Sequence, residues 1–262
     1  MATKVAKIWA SGKAVMNGWL AIPSGFSAEV MAQCGFDSIT VDMQHGAQDF
    51  QSMLQCFQAM QAHPVTPMVR VPWNEPGNIG KVLDAGAMGV ICPMINTRKE
   101  AEALVQACKY PVLGVRSNGP FRAGMYGEAT SYQATANTET LCIPMIETKT
   151  AIKNLDAILD VEGIAGVYVG PSDLGLSMGE QPTLAPTAQK VIDGIKKIAE
   201  LTNKAGLIPG IHCDSPDTIK LRYSQGYRYG TLLNDVRLLA MACQNGVKAV
   251  RGEKPAAASK SY

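Results

Sequence analysis

Strand-length apolar runs alternate with helix-patterned segments along nearly the whole chain, and this alternation narrows the possible folds more than any other feature. The runs are Gly18–Ile22, Ser38–Asp42, Pro67–Val71, Gly89–Pro93, Val112–Val115, Cys142–Ile146, Gly166–Gly170, Leu207–Ile211 and Tyr229–Leu233. Several are apolar without interruption, the pattern of strands covered on both faces. Between them, Pro76–Ala87 carries Ile79, Val82, Leu83 and Ala87 at helical spacing, with Pro76 suited to a first turn. Glu147–Leu159 places Ile152, Leu155, Ile158 and Leu159 on one stripe, and Thr187–Ala205 ends at Gly206, a natural helix stop. Alternating strands and helices build an α/β fold on a parallel sheet. Nine runs are one more than a (β/α)8 barrel needs. Val112–Val115 is the weakest, flanked by Pro111 and interrupted by Gly114, and is assigned to an insertion after the fourth strand. The insertion continues through Arg116–Thr140, read as a long surface excursion. The expected fold is a single-domain (β/α)8 TIM barrel over residues 1–251, followed by a small, polar tail, 252–262, expected to be mobile. A doubly wound sheet loses support because no Gly-x-Gly occurs, and a P-loop is absent too.

Composition removes several classes of function. A chain of 262 residues with 47% apolar content can bury a sizeable core. Its 24 basic and 22 acidic residues leave a net charge of +2, which points to neither nucleic acid nor an anionic membrane as a partner. No run approaches the roughly 18 apolar residues of a membrane helix. Lys4, Lys7 and Lys13 interrupt the N-terminus, so it does not read as a signal peptide. Seven cysteines without C-x-x-C spacing read as free thiols of a reducing cytoplasm.

In a barrel of this kind the chemistry sits at the C-terminal ends of the strands. Reading those ends gives Asp42 with Gln44 and His45, then Arg70, Glu147, Asp173, His212 with Asp214, and Asn234 with Asp235. Glu147 and Asp173 follow adjacent strands, and two such carboxylates suit a hard divalent cation, Mg²⁺ or Mn²⁺, with Co²⁺ a further candidate. A 2-oxo acid would fill two open positions on the ion, which as a Lewis acid would stabilise an enolate. The plain alternative makes Glu147 a first-turn helix carboxylate. Arg70, inside an apolar run, reads either as a clamp on a developing oxyanion or as a structural ion pair with Asp42. His45 reads as a proton carrier at the rim or as a histidine satisfied by backbone. The turn Gly170–Gly175 offers backbone N–H groups to a carboxylate, or is an ordinary connection. Gly175–Gly179 matches G-x-S-x-G, but it lies too far past its strand for a nucleophile elbow. Trp19 and Trp73 each line the rim or pack in the core, with packing favoured for Trp73. Met31, Met53 and Met60 read as core filler. No lysine ends a strand, and Lys149 lies inside a helix, which counts against a Schiff-base aldolase.

Several blocks in order resemble the class II pyruvate aldolases of the HpcH/HpaI type: Thr40–Gly46 (TVDMQHG), Met68–Gly127, Pro144–Ile158 (PMIETKTAIKNLDAI) and Val161–Gly179 (VEGIAGVYVGPSDLGLSMG). The similarity runs from about Gly18 to about Leu239. It implies the (β/α)8 barrel and a metal-dependent, reversible cleavage of 4-hydroxy-2-oxo acids, such as 4-hydroxy-2-oxoheptanedioate or 2-keto-3-deoxy sugar acids, to pyruvate and an aldehyde. By the same resemblance Glu147 and Asp173 bind the metal, Arg70 contacts the keto oxygen, and His45 handles the proton with support from Asp42. Asp84 acts from a neighbouring subunit, Ser172 and Asp173 hold the pyruvate carboxylate through their amides, and Trp19 lines the pocket. Family members are usually homohexamers, trimers of dimers that exchange a C-terminal helix. Gln44 and Met145 depart from the Glu and Gln common at those positions, which bears on the aldehyde preference. The rivals are an oxaloacetate decarboxylase resembling macrophomate synthase, a citrate-lyase-like lyase acting on a CoA ester, and a non-catalytic binding barrel.

Overall fold

A computed structural model describes residues 3–126 and 129–254. Eight strands form one parallel sheet: β1 Val15–Leu20, β2 Ser38–Asp42, β3 Thr66–Arg70, β4 Gly89–Cys92, β5 Leu141–Pro144, β6 Gly166–Val169, β7 Ile208–Cys213 and β8 Tyr229–Leu232. Their order is β5-β4-β3-β2-β1-β8-β7-β6. The bridges Cys142↔Ile164 and Met145↔Tyr168 bring β5 against β6 and nearly close the barrel. Helices lie between the strands, so this is the expected (β/α)8 arrangement.

Two-residue periodicity sorts the strands into two cores. Outward residues such as Leu20, Val41, Val69, Val90, Cys142, Val167 and Ile211 pack against the helices. Inward residues, among them Val15, Trp19, Met68, Ile91, Ile143, Tyr168 and Tyr229, fill the barrel. Two inward glycines make room for the bulk. A Cβ on Gly89 would lie 2.4 Å from Met68 Cε, and one on Gly210 would lie 2.9 Å from Tyr229 Cδ1. The helix Pro76–Asp84 shows how the outer layer is held. The Glu75 carboxylate accepts the Gly77 and Asn78 N–H groups at its start, and Ile79, Val82 and Leu83 are buried. Each such side chain contributes roughly 1.5–3 kcal/mol.

Four features differ from the sequence reading. A short helix, Lys4–Ala10, precedes β1 and plugs the N-terminal end of the barrel. Its Val5 and Trp9, one helical turn apart, are buried, and Trp9 Nε1 donates to the Arg228 carbonyl at 3.0 Å. The stripe over Glu147–Leu159 is two helices, Lys149–Lys153 and Leu155–Leu159, broken at Asn154, so Glu147 stands before the helix and not in its first turn. The excursion Arg116–Thr140 is partly helical (Ala123–Tyr126 and Ala129–Glu139) and buries Arg116, Ala123 and Ala136. Trp73, expected to pack, is 56% exposed. Val112–Val115 is no strand, and Met31, Met53 and Met60 are buried. Of the terminal stretch 252–262, residues 255–262 lie outside those described. The last helix, Asp235–Val250, is anchored only at its start. Beyond Asp235 none of its residues is buried, and Val236, Leu239, Val247 and Val250 are exposed.

Candidate active site

The polar cluster forms at the C-terminal rim because the last inward residues of neighbouring strands point to the same space. Asp42 and Arg70 end β2 and β3 in register. Arg70 Nε donates to Asp42 Oδ1 at 2.8 Å and Nη2 to Oδ2 at 2.6 Å, a bidentate pair with side chains only 3% and 4% exposed. Burial works against the Asp42 charge, but the Arg70 guanidinium outweighs it and holds the carboxyl below its ordinary value. Asp42 Oδ1 also accepts the backbone N–H groups of Gln44 and His45, at 3.1 and 3.3 Å. Asp42 therefore shapes the turn that carries His45 through its backbone, while the His45 side chain is exposed at the rim. The Arg70 guanidinium lies 4.9 Å from the centre of the Trp19 ring, and Trp19 is fully buried.

Glu147 lies across the rim, three residues beyond β5. It is 2% exposed, and its Oε1 accepts the Met94 N–H at 2.8 Å. Met94 has φ 57°, in the left-handed region uncommon for a non-glycine residue, and this turn directs its N–H to the carboxylate. Gly170 makes the space: a Cβ there would come 2.5 Å from Glu147 Oε2 and 3.2 Å from Met145 Cε. Burial pushes Glu147 up to about 7; the neighbouring Asp173 charge adds to the rise, and the Met94 amide and Arg70 oppose it. Asp173 is in the first turn of the helix Pro171–Ser177. Ser172 beside it is buried, and its Oγ has no hydrogen-bond partner among the described residues. Amides in such a first turn lack intrahelical acceptors.

His212, at the end of β7, meets Trp19 edge-on at 5.1 Å. Burial and the Arg70 charge push its imidazole down to about 3, so it is neutral at working pH. The other rim candidates serve the scaffold. Asp214 accepts from Thr218 Oγ1 at 2.6 Å, and Asn234 caps the last helix through the Arg237 N–H. Asp235 accepts the Ala21 and Ile22 N–H groups and the Ser27 hydroxyl. Ser177 donates to the Leu174 carbonyl within its own helix, and Lys149 is exposed, so neither makes a nucleophile.

Asp84 is not in this cluster. It ends the helix Pro76–Asp84 on the outer layer and pairs with Arg116 at 2.6 Å, beside a cavity of about 600 Å³ lined also by Lys81, Phe121 and Arg122. Sequence reasoning missed the Met94 amide, the room at Gly170, and the inward polar residues Asn17, Tyr168 and Thr231 below the rim. The last three were available from periodicity, since each shares the inward parity of its own strand: Asn17 with Val15 and Trp19, Tyr168 opposite in parity to Val167 and Val169, and Thr231 with Tyr229.

Comparison with known proteins agrees with this architecture. The family model for HpcH/HpaI aldolase/citrate lyase matches residues 17–224. A hydroxypyruvate/pyruvate aldolase of Rhizorhabdus wittichii is 36% identical over 249 residues, 95% of this chain and 98% of its own. A 4-hydroxy-2-oxo-heptane-1,7-dioate aldolase of Escherichia coli is 34% identical over 236 residues, 89% of each chain. The crystal structure of an HpcH/HpaI aldolase/citrate lyase family protein from Burkholderia cenocepacia superposes with a TM-score of 0.87 at 28% identity, over 91% of this chain and 95% of that one. With the sequence matched over most of its length and the barrel matched in space, the chain belongs to the HpcH/HpaI aldolase/citrate lyase family.

Proposed function

We propose that the protein is a divalent-metal-dependent pyruvate aldolase that reversibly cleaves 4-hydroxy-2-oxo acids to pyruvate and an aldehyde. The reaction class, carbon–carbon lysis, follows from the family. The observation that carries the metal reading is the buried Glu147 carboxylate, raised to about 7 with Asp173 beside it. A buried carboxylate whose charge a neighbouring carboxylate disfavours fits a hard cation, Mg²⁺ or Mn²⁺, which would neutralise both. Among the described residues no group of three or more His, Cys, Asp or Glu side chains could hold a metal. A site with only two protein ligands leaves positions for water and substrate oxygens. A cation held there supplies Lewis-acid polarisation of the substrate's keto oxygen.

The chain's own residues do the rest. Arg70, fixed by Asp42 and Trp19, presents its guanidinium where negative charge develops on the keto oxygen. Ser172 and Asp173 offer backbone N–H groups to the substrate carboxylate. His45, carried on the turn that Asp42 organises, moves the proton between the C4 hydroxyl and solvent. The exposed apolar face of the helix Asp235–Val250 supports a homohexamer with exchanged C-terminal helices, and the outer position of Asp84 supports its service to a neighbouring subunit's site. All seven cysteines are free, in keeping with a cytoplasmic enzyme. Among the described residues no helix is long and apolar enough to cross a membrane.

Exchange of the pyruvate methyl protons into D₂O tests the reading, because it reports enolate formation without an aldehyde. We expect exchange with Mn²⁺ or Mg²⁺ and none after EDTA. Equal exchange in Glu147→Ala and wild type would overturn it.

A further inference from the structure

A ladder of hydrogen-bonded side chains crosses the barrel beneath the rim and ends on His212. Ser38 Oγ and Thr40 Oγ1, from β2, donate to Asn17 Oδ1 on β1 at 2.7 and 3.2 Å. Asn17 Nδ2 donates to Thr231 Oγ1 on β8 at 3.0 Å. The Tyr168 hydroxyl on β6 lies 2.7 Å from Thr231 Oγ1 and 3.2 Å from His212 Nδ1. Every member is buried. The inward residues beside them, Met68, Ile91 and Ile143, are apolar, as is usual inside such barrels. Interior hydrogen bonds add little net stability when made and cost more when one partner is lost. A polar ladder in a core that apolar side chains could fill therefore serves placement more than stability.

The ladder meets the chemistry at Trp19. His212 meets the Trp19 indole edge-on, and the face of that indole carries the Arg70 guanidinium. Tyr168 also stacks on Trp19, with centroids 5.6 Å apart at 26°. Besides its hydrogen bond to Asp42, the indole is thus held by two rings whose polar atoms are joined to each other. We propose that His212 is a positioning residue: the Tyr168 hydroxyl fixes its ring, and the fixed ring holds Trp19 as the support on which Arg70 is aimed. This rests on Arg70 having the role given above. His212 faces Arg70, Asp42, Arg237 and the Tyr168 hydroxyl, and also hydrogen-bonds the Leu233 backbone. Kept neutral by burial and by Arg70, it adds no charge that would repel the guanidinium.

The test combines kinetics with a structural probe. Tyr168→Phe, His212→Phe, His212→Asn and the double variant Tyr168→Phe/His212→Phe are assayed for pyruvate methyl exchange. Each protein is also labelled with 5-fluorotryptophan, and the Trp19 signal is assigned with Trp19→Phe among the three tryptophans. We expect Tyr168→Phe and His212→Phe each to lower kcat about tenfold with KM nearly unchanged. The double variant is expected to be no slower than His212→Phe alone, because both act through one ring. His212→Asn, which keeps a hydrogen-bonding group near the Nδ1 position, should recover part of the loss. The Trp19 signal should shift in both single phenylalanine variants. Additive losses, or unchanged kcat with only a lower Tm, would overturn the proposal, as would an unmoved Trp19 signal. If wild type itself exchanges no pyruvate protons, the functional reading falls, and the Trp19 signal alone then decides whether His212 holds the indole.

Discussion

Replacing Glu147 by Gln should stabilise the metal-free protein while abolishing its activity, and the size of the gain follows from the site. Burial lifts the carboxyl from 4.5 to about 7. The folded protein holds that proton more tightly than the unfolded chain does. The cost of the carboxylate is therefore absent well below pH 4.5 and complete once the pH exceeds 7. The difference of 2.5 units between those two values corresponds to about 3 kcal/mol at pH 8, and to roughly 1 kcal/mol at pH 5. Glutamine keeps a carbonyl for the Met94 N–H and removes the charge. Urea unfolding in EDTA, at one protomer concentration, should show Glu147→Gln gaining about 3 kcal/mol over wild type at pH 8, and about 1 kcal/mol at pH 5. Adding Mn²⁺ at a hundredfold excess over its Kd should return about 2.7 kcal/mol to wild type only. Equal unfolding midpoints at pH 8 would mean that Glu147 is not a buried, frustrated carboxylate, and the case for a cation there would fail.

Arg70→Lys should lower kcat about 100-fold or more, because a lysine cannot reproduce the bidentate bond to Asp42 and the guanidinium's place over the Trp19 ring; a tenfold loss or less would argue against Arg70 facing the oxyanion. Arg70→Ala leaves Asp42 buried and unpaired, and should cost about 3–5 kcal/mol in urea unfolding. Leu239→Glu together with Val247→Glu should lower the molar mass seen by light scattering, and an unchanged mass would show that this face of the last helix covers nothing. Mixing inactive Asp84→Asn with inactive Glu147→Ala subunits should restore activity if Asp84 serves a neighbour's site; no recovery after subunit exchange would return Asp84 to a purely structural pair with Arg116.

The barrel was legible because most strands are largely apolar on both faces and helices such as Pro76–Asp84 and Gln189–Lys204 bury one apolar face. Asp42, Arg70 and Glu147 were legible because a charged residue in or just after an apolar run needs a reason. The N-terminal helix escaped notice because seven residues carrying two lysines give too short a pattern, although Val5 and Trp9 mark its buried face. The helix Ala129–Glu139 escaped because its polar, threonine-rich composition reads as loop. The single helix expected over Glu147–Leu159 breaks at Asn154, whose side chain donates to the Asn96 carbonyl at 2.8 Å, a long-range contact that no local pattern announces. Arg70 was read as clamp or ion pair, and the geometry shows the ion pair with Asp42 at the end of β3, while the clamp is the role proposed above. Asp84 could not be placed by a single chain, since its partners there are Arg116 and an outer cavity.

The most direct measurement is pyruvate release from a panel of 4-hydroxy-2-oxo acids, with oxaloacetate included, before and after EDTA and with Mn²⁺ restored. We predict cleavage of at least one hydroxy-oxo acid, lost with EDTA and regained with the metal. Metal-independent cleavage, or turnover of oxaloacetate alone, would contradict it.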